Sequence, residues 1–294
     1  MKLSALMAAV LLTAAATGAQ AADTLAKIAE SGKITLAYRE SSVPFSYLDG
    51  PNKPIGFSVE LSNAVVEAVK KKINKPNLQV ALMPVTSQNR IPLIQNGTID
   101  LECGSTTNNS ARGKDVAFAI NHFYTGTRLL VKKSSKVKNY ADLAKKTVAS
   151  TTGTTNALVM RKYNTEKNLD MDIVLGKDHA DAFLLVESDR AVAFAMDDIL
   201  LFGLIANAKN PAEFEVVGDA LQVEPYGCML PKDDAAFKQV VDDTIIGLMK
   251  SGEFEKMYNK WFMSPIPPKG TPLNLPMSQQ LRDNLKTPSD KPAT

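Results

Sequence analysis

Cysteine and histidine are scarce in this chain, with two of each among 294 residues. The common catalytic motifs are also missing: the sequence has no His-Glu-x-x-His, no Cys-x-x-Cys, no Gly-x-Ser-x-Gly, no Gly-x-Gly-x-x-Gly after a strand and no Walker lysine. Two imidazoles, with no acidic cluster at metal-ligand spacing, argue against a catalytic metal. We therefore predict no metal, no cofactor and no enzymatic activity.

A strong excess of one charge is missing as well. The chain has 34 Lys and Arg against 31 Asp and Glu, a formal net charge of +3. The basic run 70–72 ends an amphipathic pattern, so a solvated helix end explains it better than a nucleic-acid patch does. The composition, 45% hydrophobic and 22% charged, is typical of a globular protein with one large core or two ordinary ones. We predict no nucleic-acid partner.

Long apolar runs are confined to the N-terminus. Residues 1–21 combine Lys2 with an apolar run and end in Ala19-Gln20-Ala21, the small-x-small pattern of a signal-peptidase site. The run is too short and too rich in alanine to anchor the protein, and no later segment approaches the length of a membrane span. We predict a signal peptide over 1–21, a mature chain beginning at Ala22 and a periplasmic protein without membrane insertion.

The predicted export of the protein bears on the state of its two cysteines. In an oxidising compartment two cysteines pair more often than they stay free, so we expect a disulfide between Cys103 and Cys228. Two buried thiols on separate strands remain the alternative.

The chain alternates short apolar runs with segments of helical period from Lys33 onward, which predicts an α/β fold with mainly parallel sheets. The alternation restarts after Gly126, so a second α/β layer is expected. A strand at 226–230 and helices at 233–250 and 254–262 are too little for a third domain and return to the first. Beyond Trp261 the chain is rich in proline, and we expect an extended strap and a frayed terminus.

A hydroxyl-rich segment at 102–112 is the strongest pointer to a ligand site. Ser105 and Thr107 follow a predicted strand, and ligands of open α/β sheets bind at the carboxyl ends of strands. Arg112 adds a planar fork of donors that matches an anion with two oxygens. The segment predicts a site that holds a carboxylate.

Five stretches of the sequence together resemble one family. They are 39–47 (RESSVPFSY), 86–93 (TSQNRIPL), 96–100 (NGTID), 103–109 (CGSTTNN) and 226–230 (YGCML). In this order they resemble the periplasmic solute-binding proteins of ABC importers for polar amino acids, especially those that bind acidic amino acids. The resemblance implies a two-lobe periplasmic binding protein fold with two crossing hinge strands near 123–127 and 222–226. Lobe 1 then comprises 22–125 and 223–268, lobe 2 comprises 126–222, and 269–294 form a C-terminal extension.

The resemblance also implies a ligand set. The α-carboxylate is expected at Arg112, the Thr107 hydroxyl and the turn that holds Thr152 and Thr155. The α-ammonium is expected at Asp197, with the Ser105 backbone and the Thr107 hydroxyl as further acceptors. The side-chain carboxylate is expected among Arg39, Ser87, Arg90 and His179. Three arginines against one aspartate leave this set positive, which suits a ligand with two carboxylates and one ammonium.

Simpler explanations exist for several of these residues. Arg39 and Arg90 would be surface charges, Asp197 a solvated acid after a strand, and His179 a helix cap. The turn before the predicted helix near Thr154 offers backbone N–H groups to an anion, yet ordinary helix capping also explains its threonines.

The expected function is capture of L-glutamate or L-aspartate by domain closure and delivery to the membrane permease of an ABC importer, by a monomer. A cyclohexadienyl-dehydratase-like lyase on the same fold is one alternative, although the cleft positions offer arginines and hydroxyls rather than a poised general acid. A ligand carrier for a chemoreceptor is the other.

Overall fold

The computed structural model describes residues 23–293. The predicted signal peptide, 1–21, lies outside the described residues. Across the described range, no helix combines the length and apolar composition that crossing a membrane requires.

The strands are short and distributed over the whole described chain. In order they are β1 (Lys33–Tyr38), β2 (Ser41–Ser42), β3 (Ser46–Leu48), β4 (Pro54–Ile55), β5 (Gln79–Pro84), β6 (Leu101–Glu102), β7 (Ala117–Phe118), β8 (Phe123–Thr125), β9 (Thr127–Lys132), β10 (Thr147–Thr151), β11 (Asp172–Gly176), β12 (Ala193–Asp197), β13 (Phe214–Val217), β14 (Glu224–Tyr226), β15 (Met229–Leu230), β16 (Pro265–Ile266) and β17 (Thr271–Pro272).

Helices separate most of these strands. They are α1 (Thr24–Ser31), α2 (Phe57–Lys72), α3 (Arg90–Gln95), α4 (Thr155–Lys167), α5 (His179–Glu187), α6 (Asp198–Asn207), α7 (Ala235–Ser251), α8 (Glu253–Tyr258) and α9 (Gln279–Lys286). Short 3-10 turns cover Arg112–Lys114, Lys133–Ser135, Tyr140–Leu143 and Pro211–Glu213, and a π-helical turn covers Asn259–Met263.

Two five-stranded sheets form the centres of two lobes. The first has the order β5-β1-β6-β15-β7 and the second β11-β10-β12-β9-β13. In each, the strands of the βαβ units pair in parallel, whereas β15 and β9 pair antiparallel with both neighbours. The predicted α/β two-lobe class is confirmed: in each sheet four strands run in one direction and a single strand, β15 or β9, runs against them. β9 and β15 enter their sheets from the other lobe and not through a crossover helix, which is the connection that parallel neighbours require.

Two crossing strands connect the lobes. β8 pairs antiparallel with β14, so that Phe123 lies opposite Tyr226 and Thr125 opposite Glu224. The aromatic rings of Phe45 and Phe262 pack against Phe123 at centroid distances of 4.9 and 5.1 Å. This packing anchors the crossing strands in the core of the first lobe.

The predicted strand 226–230 is interrupted. The backbone of Gly227 and Cys228 leaves the ladder between β14 and β15, and Cys228 forms the predicted disulfide with Cys103 across 125 residues of sequence. The disulfide is therefore confirmed, and it ties the end of β6 to the return of the chain into the first lobe.

The C-terminal extension is ordered, contrary to the frayed terminus expected from the sequence. Ser278 caps α9 by accepting a hydrogen bond from the Leu281 amide, and the Leu281 side chain is buried. The tail then hydrogen-bonds to the first lobe, because Asn121 N donates to Ser289 O and Ala293 N donates to Asn108 O. Met277, Leu281 and Leu285 recur at helical spacing, a signal that the proline content obscured.

Candidate functional site

A polar cavity of about 190 Å³ lies between the lobes. Eight of the ten predicted ligand residues line it, five from the first lobe and three from the second. They are Ser87, Arg90, Ser105, Thr107 and Arg112 on one side and Thr155, His179 and Asp197 on the other, with Thr154, Asn156, Met196 and Leu200 completing the wall. Arg39 lies beside this wall, and Thr152 turns away and donates to Gly176 O at 3.1 Å.

The element ends explain why these side chains converge. Ser105 and Thr107 follow β6, and Asp197 ends β12, so both sheets present polar groups at strand ends. Arg90, Thr155 and His179 are the first residues of α3, α4 and α5. Helix starts and strand ends therefore meet across one cleft.

The lobes touch at the turn before α4. Gly153 has a φ of +78°, and a Cβ atom on it would lie 2.6 Å from Gln88 Cα of the first lobe. Arg112 spans the same contact, since its Nη1 donates to Thr107 O at 2.9 Å and its Nη2 to Gly153 O at 3.2 Å. The described arrangement is thus a closed cleft.

The two arginines at the far end of the cleft are buried completely. Arg39 is 0% and Arg90 1% exposed, so a surface role is excluded for both. Arg39 Nη2 donates to Asp178 Oδ1 at 3.3 Å, and Arg90 Nη1 donates to Ser105 O at 3.4 Å.

Several donors of this end have no acceptor within residues 23–293. They are Arg39 Nε, Arg39 Nη1 and Arg90 Nε, together with the hydroxyl of Ser87. Buried charged groups are costly unless their hydrogen-bonding atoms are satisfied. These atoms therefore indicate an anionic partner that the described chain does not supply.

Burial and neighbouring charges lower the pKa values of this cluster. Burial lowers the pKa of Arg90 to about 9, with Arg112 and Arg39 adding to the decrease and Glu102 opposing it. Burial and the charge of Arg39 lower the pKa of His179 to about 3. The imidazole is therefore neutral at pH 7.

The hydrogen bonds of His179 determine its tautomer. Arg39 Nη2 lies 3.3 Å from His179 Nε2, and a guanidinium only donates, so Nε2 accepts. Nδ1 then carries the proton and donates to Thr151 Oγ1 at 2.9 Å. Asp178, whose carboxylate accepts from the His179 amide at 2.6 Å, caps α5, so His179 is not the capping residue.

Asp197 is buried at the opposite end of the cavity. It accepts from Asn156 Nδ2 at 2.7 Å and from the Tyr226 hydroxyl, so a solvated acid is excluded. Burial first, and then the nearby carboxylate of Glu224, raise the pKa of Asp197 well above its ordinary value. A cation placed against Asp197 would favour its ionised form.

Three buried or half-buried carboxylates around the site escaped the sequence analysis. Glu102 lies 3.9 Å from Arg90 Nη1, Asp178 pairs with Arg39, and Glu224 accepts from Thr155 Oγ1 at 2.6 Å. The count of three arginines against one aspartate therefore left out three nearby acids, none of which lines the cavity itself. For Glu102 the sequence did contain a signal of burial, because a single acid stands within an apolar strand pattern, Leu101-Glu102-Cys103.

Known proteins resemble this chain over most of its length. The family model of bacterial extracellular solute-binding proteins, family 3, matches residues 34–264. The glutamate/aspartate import solute-binding protein of Escherichia coli (strain K12) is 54% identical over 271 residues, covering 92% of this chain and 90% of that protein. The L-glutamate/L-aspartate-binding protein of Pseudomonas aeruginosa is 51% identical over 292 residues, covering 99% and 97%. A solved structure of a mutant ArgBP from T. maritima matches with a TM-score of 0.72 and 25% identity, covering 81% of this chain and 99% of that one.

Proposed function

This chain belongs to the bacterial extracellular solute-binding proteins of family 3, and we propose that it captures an acidic L-amino acid, glutamate or aspartate, by closing its two lobes around it. Like the relatives named above, it is a binding protein and not an enzyme. The ligand enters and leaves unchanged, and the work of the protein is selection.

The observation that carries this proposal is the unpaired donors of Arg39, Arg90 and Ser87. Among residues 23–293 these buried atoms find no acceptor, and they lie together at one end of the cleft. A carboxylate satisfies such a group best, because each of its oxygens accepts more than one hydrogen bond from a guanidinium or hydroxyl. We assign this end of the cleft to the side-chain carboxylate of the ligand.

The other end supports recognition of the amino-acid part. Arg112 and the first turn of α4, which begins at Thr155, offer a cation and backbone N–H groups to the α-carboxylate. Asp197 offers a carboxylate to the α-ammonium. Arg112 and Asp197 belong to different lobes, so the ligand contacts both only when the lobes are closed, and its binding shifts the equilibrium toward the closed form.

The remaining parts of the proposal concern location and partners. Residues 1–21 act as an export signal, the protein works in the periplasm as a monomer, and the closed complex delivers its amino acid to the permease of an ABC importer. The relatives from Escherichia coli and Pseudomonas aeruginosa, named for glutamate/aspartate import and for L-glutamate/L-aspartate binding, support a role in transport.

Isothermal titration calorimetry with L-glutamate, L-aspartate, L-glutamine and L-arginine tests the proposal. We expect the two acidic amino acids to bind at least tenfold more tightly than the other two, because an uncharged amide leaves the buried guanidinium groups without an anion. Tighter binding of L-glutamine or L-arginine would contradict the proposal. The dehydratase alternative is checked by incubating prephenate with the protein and monitoring the absorbance. Turnover of prephenate would refute a pure binding role.

A matched pair of variants identifies the site within this test. Ser87→Ala removes the hydroxyl among these unpaired donors and should weaken binding of L-glutamate. Ser134→Ala changes a serine of the second lobe outside the cleft and should not weaken it. Equal affinities for the two variants would argue against the assigned end of the cleft.

A further inference from the structure

Glu224 is a fully buried carboxylate on the crossing strand β14, behind the wall of the cleft. It is 1% exposed and does not line the cavity itself. Its Oε2 accepts hydrogen bonds from Thr107 Oγ1 of the first lobe and, at 2.6 Å, from Thr155 Oγ1 of the second. Its Oε1 accepts from Gln222 Nε2.

These hydrogen bonds fix the direction of two hydroxyl groups. A threonine hydroxyl has one hydrogen and two lone pairs. Because Thr107 and Thr155 both give their hydrogen to Glu224, only their lone pairs remain for a ligand. The two hydroxyls that line the cavity are therefore acceptors, although threonines beside an amino acid's carboxylate are normally counted as donors.

At the Asp197 end of the cleft the side chains offer only hydrogen-bond acceptors. Such a site suits a ligand group that only donates hydrogen bonds. Asp197 already receives hydrogen bonds from Asn156 and Tyr226, and it lines the cavity together with Thr107 and Thr155. An ammonium has three donors and no acceptor, and it matches such a wall. A carbonyl oxygen in the same position would meet lone pairs alone.

We propose that Glu224 is a positioning residue for specificity: it holds the hydroxyls of Thr107 and Thr155 as acceptors and so makes the cleft require an α-ammonium and reject 2-oxo acids. This inference rests on the proposed function and adds to it the group that discriminates an amino acid from the 2-oxo acid of the same length. The α-carboxylate is then left to Arg112 and the backbone N–H groups of α4.

The substitution Glu224→Gln reverses this arrangement with almost no change in shape. Gln222 Nε2 needs an acceptor, so the amide oxygen of the new side chain faces Gln222 and its NH₂ group faces the two threonines. Both hydroxyls then accept from the amide and turn their hydrogens toward the cavity, where they are able to donate to a carbonyl oxygen.

Calorimetric titration with L-glutamate and with 2-oxoglutarate tests the inference. For the unsubstituted protein we expect 2-oxoglutarate to bind at least about 1,000-fold more weakly than L-glutamate, since sites built around buried hydrogen bonds reject the mismatched analogue strongly. In Glu224→Gln the ratio of the two dissociation constants should shrink by roughly 10- to 100-fold, the effect of one hydrogen bond to a charged group. Glu213→Gln, at an exposed glutamate, should leave the ratio unchanged.

The outcomes separate this inference from the proposed function. If the unsubstituted protein binds neither L-glutamate nor L-aspartate, the proposed function fails. If it binds L-glutamate and Glu224→Gln keeps the same ratio, the inference about Glu224 is overturned. Thr155→Val gives a second test should Glu224→Gln not fold: it should weaken L-glutamate at least tenfold and leave 2-oxoglutarate within about threefold, and equal losses for both ligands would overturn the inference.

Discussion

Replacing Arg90 by methionine should separate recognition of the side-chain carboxylate from folding. Methionine keeps an unbranched apolar stem in the buried site and removes the guanidinium. Arg90 Nη1 is held by Ser105 O at 3.4 Å, while Arg90 Nε has no acceptor within the described chain, so the ligand loses one or two hydrogen bonds from this residue. At about 1.5–3 kcal/mol for each hydrogen bond to a charged group, and with Arg39 still present, L-glutamate should bind roughly 10- to 150-fold more weakly for each bond lost.

The same change should affect an uncharged ligand much less. The amide of L-glutamine accepts fewer hydrogen bonds than a carboxylate and gains less from a second guanidinium, so Arg90→Met should reduce its affinity by less than about tenfold. Calorimetry with both ligands measures the two changes, and Arg161→Met, at an exposed position on α4, serves as the control.

Two results would refute the reasoning about Arg90. One is an equal fold loss for L-glutamate and L-glutamine, which would mean that the guanidinium does not distinguish them. The other is a large decrease in the melting temperature of the ligand-free variant, because Glu102, 3.9 Å away, would then depend on Arg90 for folding and the loss of affinity would be indirect.

Three further predictions concern stability. Cys103→Ala with Cys228→Ala should reduce the free energy of unfolding by up to about 4–5 kcal/mol, since the disulfide closes a loop across 125 residues; denaturant unfolding measures this, and an unchanged midpoint would contradict it. His122 is buried and its pKa is lowered to about 4, so the unfolded chain binds a proton at a higher pH than the folded one and stability falls as the pH drops below about 6.5. Urea unfolding at pH 7 and pH 5 should show a loss about 2 kcal/mol larger for the unsubstituted protein than for His122→Asn, in which His179 and Asp197 are unchanged, and equal losses would exclude the buried neutral imidazole. Leu281→Ala should reduce the free energy of unfolding by about 2–5 kcal/mol because the side chain is 1% exposed. Leu158→Ala, at a side chain that is 68% exposed, should change it by less than about 0.5 kcal/mol. Equal effects of the two substitutions would mean that α9 is not docked.

Local patterns predicted most elements well. The sequence predicts helices at 90–95, stopped by Asn96-Gly97, and at 179–187, starting after Gly176-Lys177-Asp178, and α3 and α5 have these bounds. The sequence also predicts a helix at 140–145. The structure has a shorter 3-10 turn there, Tyr140–Leu143, since Lys145 takes a left-handed conformation with φ of +58°. The strand expected at 226–230 is interrupted at Gly227 and Cys228, where the chain passes from pairing with β8 to pairing with β6 and β7.

The sequence alone determined the fold class, the pairing of the two cysteines and the residue types available for a carboxylate ligand, because these follow from periodicity, compartment and the chemistry of side chains. Only the tertiary structure decided which charges are buried together. Glu102, Asp178 and Glu224 are far apart along the chain, and burial, unlike periodicity, depends on what packs from every direction. The same holds for the direction of a hydroxyl hydrogen at Thr107 or Thr155, which is set by an acceptor 117 or 69 residues away.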